Sequence, residues 1–245
     1  MEALKRILLS VYLWIAVILV TVGVTTLIVI TWPLALVDPS RRLAHSLGAV
    51  WAYLLLHVNP LWHFETLGIK KLKKDQAYVL ISNHASLSDI VCLFSLRHPF
   101  RWLAKRSLFY IPFLGWAMKA MGSIPLERGR HGSIRESYAQ SLEWLRQGVS
   151  VLIFPEGTRS RTGEMGKFKS GAFKLAIESG CPIVPIVLTG TQQIIAKGKS
   201  SFGRPGRAVM NVLDPIETRG LDPKEEEAVR CRVENLMRAE LRRPA

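Results

Sequence analysis

Two short stretches hold the residue types that chemistry needs. The first is SNHASLSD, residues 82–89, which follows the apolar run AYVLI. It places His84 and Asp89 five residues apart. On one regular helix those side chains would point about 140° apart, so they meet only if His84 precedes the helix and the chain bends back. Ser86 or Ser88 would then cap the helix, leaving Asp89 in its first turn. A carboxylate there fixes one imidazole nitrogen and leaves the other free as a base, the His–Asp half of a triad. No G-x-S-x-G is present, so a substrate hydroxyl is the simplest completion. The competing reading is a turn that His84 and Asn83 merely tie down.

The second stretch is FPEGTRSRTGE, residues 154–164. It offers Gly157 and its neighbours' backbone N–H groups, the Thr158 hydroxyl and the Arg159 fork, which suits a phosphate. Glu156 is placed to hold either a substrate or the loop. Lys105 closes FRWLAK and Arg128 closes GSIPLER, adding a cation after each of two further short runs.

These residues need a frame. AYVLIS (77–82), FRWLAK (100–105), SIPLE (123–127), VSVLIF (149–154), PIVPIVLTG (182–190) and RAVMNVL (207–213) read as strands. Between them LSDIVCLFSLRH, SLFYIPFLGWAMKAMG, SIRESYAQSLEWLRQG and SGAFKLAIESG have helical spacing, and residues 222–242 form a charged closing helix. Such alternation predicts an α/β fold, a sheet layered with helices. In open α/β sheets ligands gather at strand carboxyl ends, where both polar stretches fall.

The front end differs. Ile7 to Val37 carries no charge over 31 residues, more than the roughly 20 that cross a bilayer. A signal peptide competes, but the run is long for one and no small-x-small site follows. A second uncharged run extends from Leu43 to Phe64. Trp14, Trp32, Trp51 and Trp62, four of the seven tryptophans, fall here, as expected of rings at headgroup level. The reading is a two-helix membrane hairpin over 1–64, spanning or lying in one leaflet, and one α/β domain over 65–245. Of the net charge of +14, residues 1–64 contribute two. The basic body suits anionic lipid, a phosphate-bearing substrate, an acidic partner or nucleic acid; no nucleic-acid motif supports the last. Cys92, Cys181 and Cys231 lie too far apart for a disulfide framework or metal site.

Together the motifs resemble the glycerolipid acyltransferases, most closely the 1-acylglycerol-3-phosphate O-acyltransferases. NHASLSD matches N-H-x₄-D, FPEGTRS the third family motif and VPIVLTG the fourth. GSIPLER sits at the second, with Pro125 and Glu127 where an aromatic and an aspartate are usual, and Ser107 stands where an acid is common. The likeness runs from about residue 77 to 221 and implies a mixed sheet flanked by helices. It implies that His84, oriented by Asp89, activates the free hydroxyl of lysophosphatidic acid to attack a fatty acyl thioester, giving phosphatidic acid. Arg159, Lys105 and Arg128 would hold the phosphate, with Glu156, Gly157 and Thr158 shaping the site. No metal or bound cofactor is implied. Acyl-coenzyme A or acyl carrier protein would be the co-substrate, and the place would be a membrane, with the catalytic domain on the cytoplasmic face of a bacterial inner membrane. Phe109 to Met118 could line an acyl tunnel, touch lipid or pack as core. A different lysophospholipid acceptor, or a non-catalytic lipid-binding protein, are the alternatives.

Overall fold

The computed structural model describes residues 2–160, 164–194 and 206–243. Its seven strands are β1 (Trp62–Leu67), β2 (Val79–Ser82), β3 (Phe100–Lys105), β4 (Ile124–Leu126), β5 (Ser150–Ile153), β6 (Ile183–Thr189) and β7 (Gly206–Val212). They form one sheet in the order β1-β7-β6-β2-β5-β3-β4. β6, β2, β5, β3 and β4 run parallel, and β7 joins β6 antiparallel while pairing β1 in parallel. The sheet is therefore mixed and flanked by helices, as the sequence predicts.

The central strands are continuously apolar because both faces are covered. Val79, Ile81 and Val151 face a core shared with Leu142 and Leu145 of α5 (His131–Arg146), Phe173 of α6 (Gly171–Ser179) and Val233 and Met237 of α8 (Glu226–Leu241). Leu80 and Leu152 face the other way, against Ala52 and Leu56 of α2 (Arg42–His57) and Leu93 of α3 (Ser88–Phe94).

Among the described residues one helix is long and apolar enough to cross a membrane, α1 (Glu2–Ile30). One stripe of it lies along the domain. Leu13 packs with Trp62 and Ala208 at the β1–β7 edge, while Val24 and Ile28 pack with Ala117 and Ala120 of α4 (Leu114–Ala120). The opposite stripe, including Leu8, Ile15 and Leu19, is exposed.

Two stretches differ from the sequence reading. The uncharged run after Leu43 is not one helix: α2 ends at His57 and β1 begins at Trp62, so the expected boundary between 64 and 65 falls inside a strand. The cause is the alternating burial of Trp62–Leu67, the period-2 signature of a half-covered strand. SLFYIPFLGWAMKAMG is also not one helix. A 3-10 turn covers Arg106–Tyr110, and α4 starts only at Leu114, after Pro112 and a Phe113 with φ of +61°. Proline disfavours helix in the residue before it and lacks the N–H that an interior turn needs.

Candidate active site

β2 and β5 are neighbours, paired with Val79 opposite Val151 and Ile81 opposite Ile153. Continuing that register past both strand ends sets His84 opposite Glu156. The two polar stretches, 72 residues apart, therefore meet at adjacent carboxyl ends. The His84 N–H donates to Glu156 Oε1 at 2.8 Å, and the Ser160 N–H donates to the His84 carbonyl at 2.8 Å.

His84 precedes α3 and Asp89 lies in its first turn, as the spacing requires. Asp89 is fully buried, and its Oδ2 accepts from His84 Nδ1 at 2.8 Å, Ala85 N–H at 2.7 Å and Ser86 N–H at 2.8 Å. An ionised carboxylate can only accept, so Nδ1 carries the proton and Nε2 keeps its lone pair. The His84 side chain is 12% exposed, and no described residue bonds Nε2. Phe154 stacks on the imidazole, with centroids 4.0 Å apart and planes 18° apart. The ring is thus fixed by an edge contact and a face contact, with one nitrogen open. Of the two serines expected to cap α3, Ser86 accepts from Ser88 N–H at 3.2 Å, while Ser88 donates to the Thr191 carbonyl at 2.9 Å.

Glu156 is buried, and both its oxygens are occupied, Oε2 accepting from Gly166 N–H at 2.8 Å. These two bonds brace the loop against the His84 backbone. Burial pushes its carboxyl above the usual carboxylate range, opposed by the bonds from Gly166 and His84. Gly157 has φ of +72°, and a Cβ there would meet Lys169 Nζ at 3.0 Å, so only glycine fits comfortably. Thr158 is exposed and Arg159 half-buried on the same loop. Arg161 to Gly163, the tail of that stretch, lie outside the described residues.

Lys105 and Arg128 lie towards the same end of the sheet but farther out. Lys105 ends β3, level with Pro155 by the β3–β5 register, two strand spacings from β2, about 10 Å. Arg128 follows β4, three spacings away, about 14 Å. Both are exposed. The aromatic stretch divides: Phe109 and Met118 are core, while Tyr110, Phe113 and Trp116 are exposed.

The sequence reading gives no role to Phe154 or Lys169, and gives Asn83 only that of tying down a turn. Phe154 was read as the end of a strand, and nothing in its type marks it as the wall behind His84. Asn83 is buried and clamps Leu188 of β6, accepting from its N–H at 2.8 Å and donating to its carbonyl at 2.9 Å. An asparagine beside the histidine is a visible signal, since it can imitate both halves of a peptide group. Lys169 brings a cation beside Gly157.

A fixed imidazole with one free nitrogen, beside a loop bearing cations and hydroxyls, can take a proton from a hydroxyl of an anionic substrate. The Acyltransferase family model matches residues 63–189. The chloroplastic 1-acyl-sn-glycerol-3-phosphate acyltransferase of Arabidopsis thaliana is 37% identical over 193 residues, covering 78% of this chain and 54% of the relative. The alpha 1-acyl-sn-glycerol-3-phosphate acyltransferase of Mus musculus is 38% identical over 191 residues, covering 75% and 66%. The chain spans about half the length of the plant and algal relatives it matches. The crystal structure of the 1-acyl-sn-glycerophosphate acyltransferase of Thermotoga maritima superposes with a TM-score of 0.81 over 100% of both chains at 23% identity, which establishes a shared fold.

Proposed function

The chain belongs to the acyltransferase family, and from that premise we propose that it transfers a fatty acyl group from an acyl thioester to the free hydroxyl of 1-acylglycerol-3-phosphate, making phosphatidic acid. The observation that carries this reading is the His84 imidazole, held at Nδ1 by Asp89 at 2.8 Å and open at Nε2.

Nε2 removes the proton from the acceptor hydroxyl as that oxygen bonds to the thioester carbonyl carbon. The resulting imidazolium lies against the Asp89 carboxylate. Collapse of the tetrahedral intermediate breaks the carbon–sulfur bond, and the departing thiolate takes the proton back from Nε2. The acyl group passes directly between substrates, so the scheme calls for no metal or bound cofactor. Arg159 holds the acceptor phosphate, with Lys105 and Arg128 drawing it in from the sheet edge, and Gly157 and Thr158 shape the loop. Acyl-coenzyme A or acyl carrier protein, both anionic, suit the basic body as donors.

The anchor reading also takes a definite form. α1 and α2 lie on the domain with an apolar stripe outward, and Leu36 and Val37 between them are 88% and 81% exposed. Dipping this surface into one leaflet, at the cytoplasmic face of a bacterial inner membrane, brings a lipid acceptor to His84.

The deciding experiment mixes purified wild type or His84→Ala with lysophosphatidic acid and acyl-coenzyme A, and follows phosphatidic acid by mass spectrometry. General-base catalysis is worth ~10²–10⁴ in rate, and His84→Ala should lose that much. Retention of a tenth or more of the wild-type rate would refute the scheme.

A further inference from the structure

A cleft of about 440 Å³ lies well away from His84, lined by Arg41, Arg106, Lys119, Tyr110, Pro125 and Trp144 among others. Its lining includes Pro125 of β4, a strand that among the described residues pairs only with β3. That places it three strand spacings from β2, about 14 Å. Neither Lys105 nor Arg128 lines it.

Its charge is poorly balanced. Arg41 has a left-handed backbone at φ +48° and is pinned through Nη1 to the carbonyls of Lys119 and Ala120, at 2.6 and 2.9 Å. Behind the Gly122 wall Arg101 is fully buried, its guanidinium 4.5 Å over the Trp144 ring. Arg101 donates to the Ser40 carbonyl, but its Nε has no partner. Among the described residues no carboxylate pairs with Arg41, Arg101 or Lys119. Asp38, the acid that acts on Arg101, is engaged by the Ser40 hydroxyl at 2.8 Å and Leu43 N–H at 3.0 Å. Only Arg106 is neutralised, by Glu127 at 3.9 Å and Glu136 at 3.3 Å. Guanidinium groups withdrawn from water without a counter-ion are costly, and an anion in the cleft offsets that cost.

Exposed apolar side chains follow the cleft-lining Tyr110 along the chain. Tyr110 is 75% exposed, and Ile111, Phe113 and Trp116 beside it are also exposed. A cationic cleft next to exposed apolar side chains fits a ligand that is anionic at one end and apolar at the other.

We propose that this cleft seats the phosphate of an anionic membrane phospholipid, at a site separate from the His84 centre. The lipid phosphate lies between Arg41 and Lys119, its glycerol against Tyr110 and Trp144, and its chains run over Phe113 and Trp116. The inference stands independently of the acyl-transfer reading, because it is tested by binding.

The test titrates the full chain, in neutral detergent, with dihexanoyl phosphatidylglycerol and follows heat by calorimetry. Inorganic phosphate, dihexanoyl phosphatidylcholine and coenzyme A are the comparison ligands. Saturable binding near one lipid per chain is expected, at least tenfold tighter than for any comparison ligand. Lys119→Glu should weaken it tenfold or more and Lys119→Ala about threefold, while His84→Ala leaves it unchanged. The Lys119 side chain is exposed, and thermal unfolding confirms that both variants fold. Non-saturable binding, equal binding of any comparison ligand, an unaffected Lys119→Glu, or loss in His84→Ala would each overturn the proposal.

Discussion

Asp89→Asn tests the proposed chemistry with little change of shape. The amide oxygen can take the place of Oδ2 and keep the bonds from His84 Nδ1, Ala85 N–H and Ser86 N–H. The amide nitrogen then falls where Oδ1 is now, a buried atom with no partner. Two buried donors without an acceptor cost ~1–3 kcal/mol of stability, which lowers the melting temperature by roughly 2–12 °C in a chain of this size. The larger effect is on the charge that develops in the reaction. With Nδ1 and Oδ2 at 2.8 Å, the imidazolium and carboxylate charge centres are about 4 Å apart. At an effective dielectric near 20 their attraction is about 4 kcal/mol. Each 1.36 kcal/mol is about a factor of ten in rate, so kcat should fall ~10³-fold. KM for both substrates should stay within about threefold, because Asp89 has no exposed surface with which to touch either. Initial rates of phosphatidic acid formation, well below the variant's melting temperature, measure both constants. The pair acts as a unit, so His84→Ala with Asp89→Asn should be no slower than His84→Ala alone, within about threefold. A single variant keeping a tenth of the wild-type kcat, or a double variant slower by the product of the two losses, would show that Asp89 does not act through His84.

Asn83→Ala strips Leu188 of partners for both its N–H and its carbonyl, and urea unfolding should show a loss of ~2–4 kcal/mol; a loss below about 0.5 kcal/mol would show that the clamp is not needed. Burial raises the Glu156 pKa above its unfolded value, so its contribution to stability is present at acid pH and is lost as pH rises through the raised value. Glu156→Gln removes that dependence, and its stability deficit relative to wild type should be larger near pH 4.5 than at pH 7 in urea midpoints; a deficit that grows with pH reverses the sign and refutes the argument. A panel of lysolipids with one acyl-coenzyme A should favour the acceptor with a terminal phosphate monoester by about tenfold or more in kcat/KM, and equal use of lysophosphatidylcholine would point to a different acceptor.

The site was more legible than its frame. The five-residue interval from His84 to Asp89 admits a contact only across a helix start, and α3 starts where that demands. FRWLAK is a strand over its full length because both its ends are marked, by Pro99 before it and a turn after it. β1 was hidden because Trp62 and Phe64 also suit a membrane interface, and its outward residues His63 and Glu65 interrupt the apolar run only at alternate positions. The helical character of the stretch before α4 depended on tolerating Pro112, and the chain turns there instead, with Leu114 N–H donating to the Pro112 carbonyl at 2.7 Å. The Arg41–Arg101–Trp144 cluster could not be read at all. Its members are dozens of residues apart, none carries a motif, and only the packing of the α1–α2 connection against β3 and α5 brings them together.

The placement of the His84 imidazole then has a source far from it. His84 and Glu156 face each other because Val79 pairs with Val151, and that pairing is held by the two cores. Val79, Ile81 and Val151 fill one core, while Leu80 and Leu152 fill the other. A slip of one residue between β2 and β5 would disturb which side chains enter which layer, exchanging contacts worth about 1.5–3 kcal/mol for each buried aliphatic side chain. It would also set Pro155 or Gly157 opposite His84, and the bond from His84 N–H to Glu156 would have no acceptor in place. The cores select one register, and the register places His84. Conservative changes in the β2 and β5 core therefore cost stability before they cost geometry, because no intermediate register exists for the site to drift into.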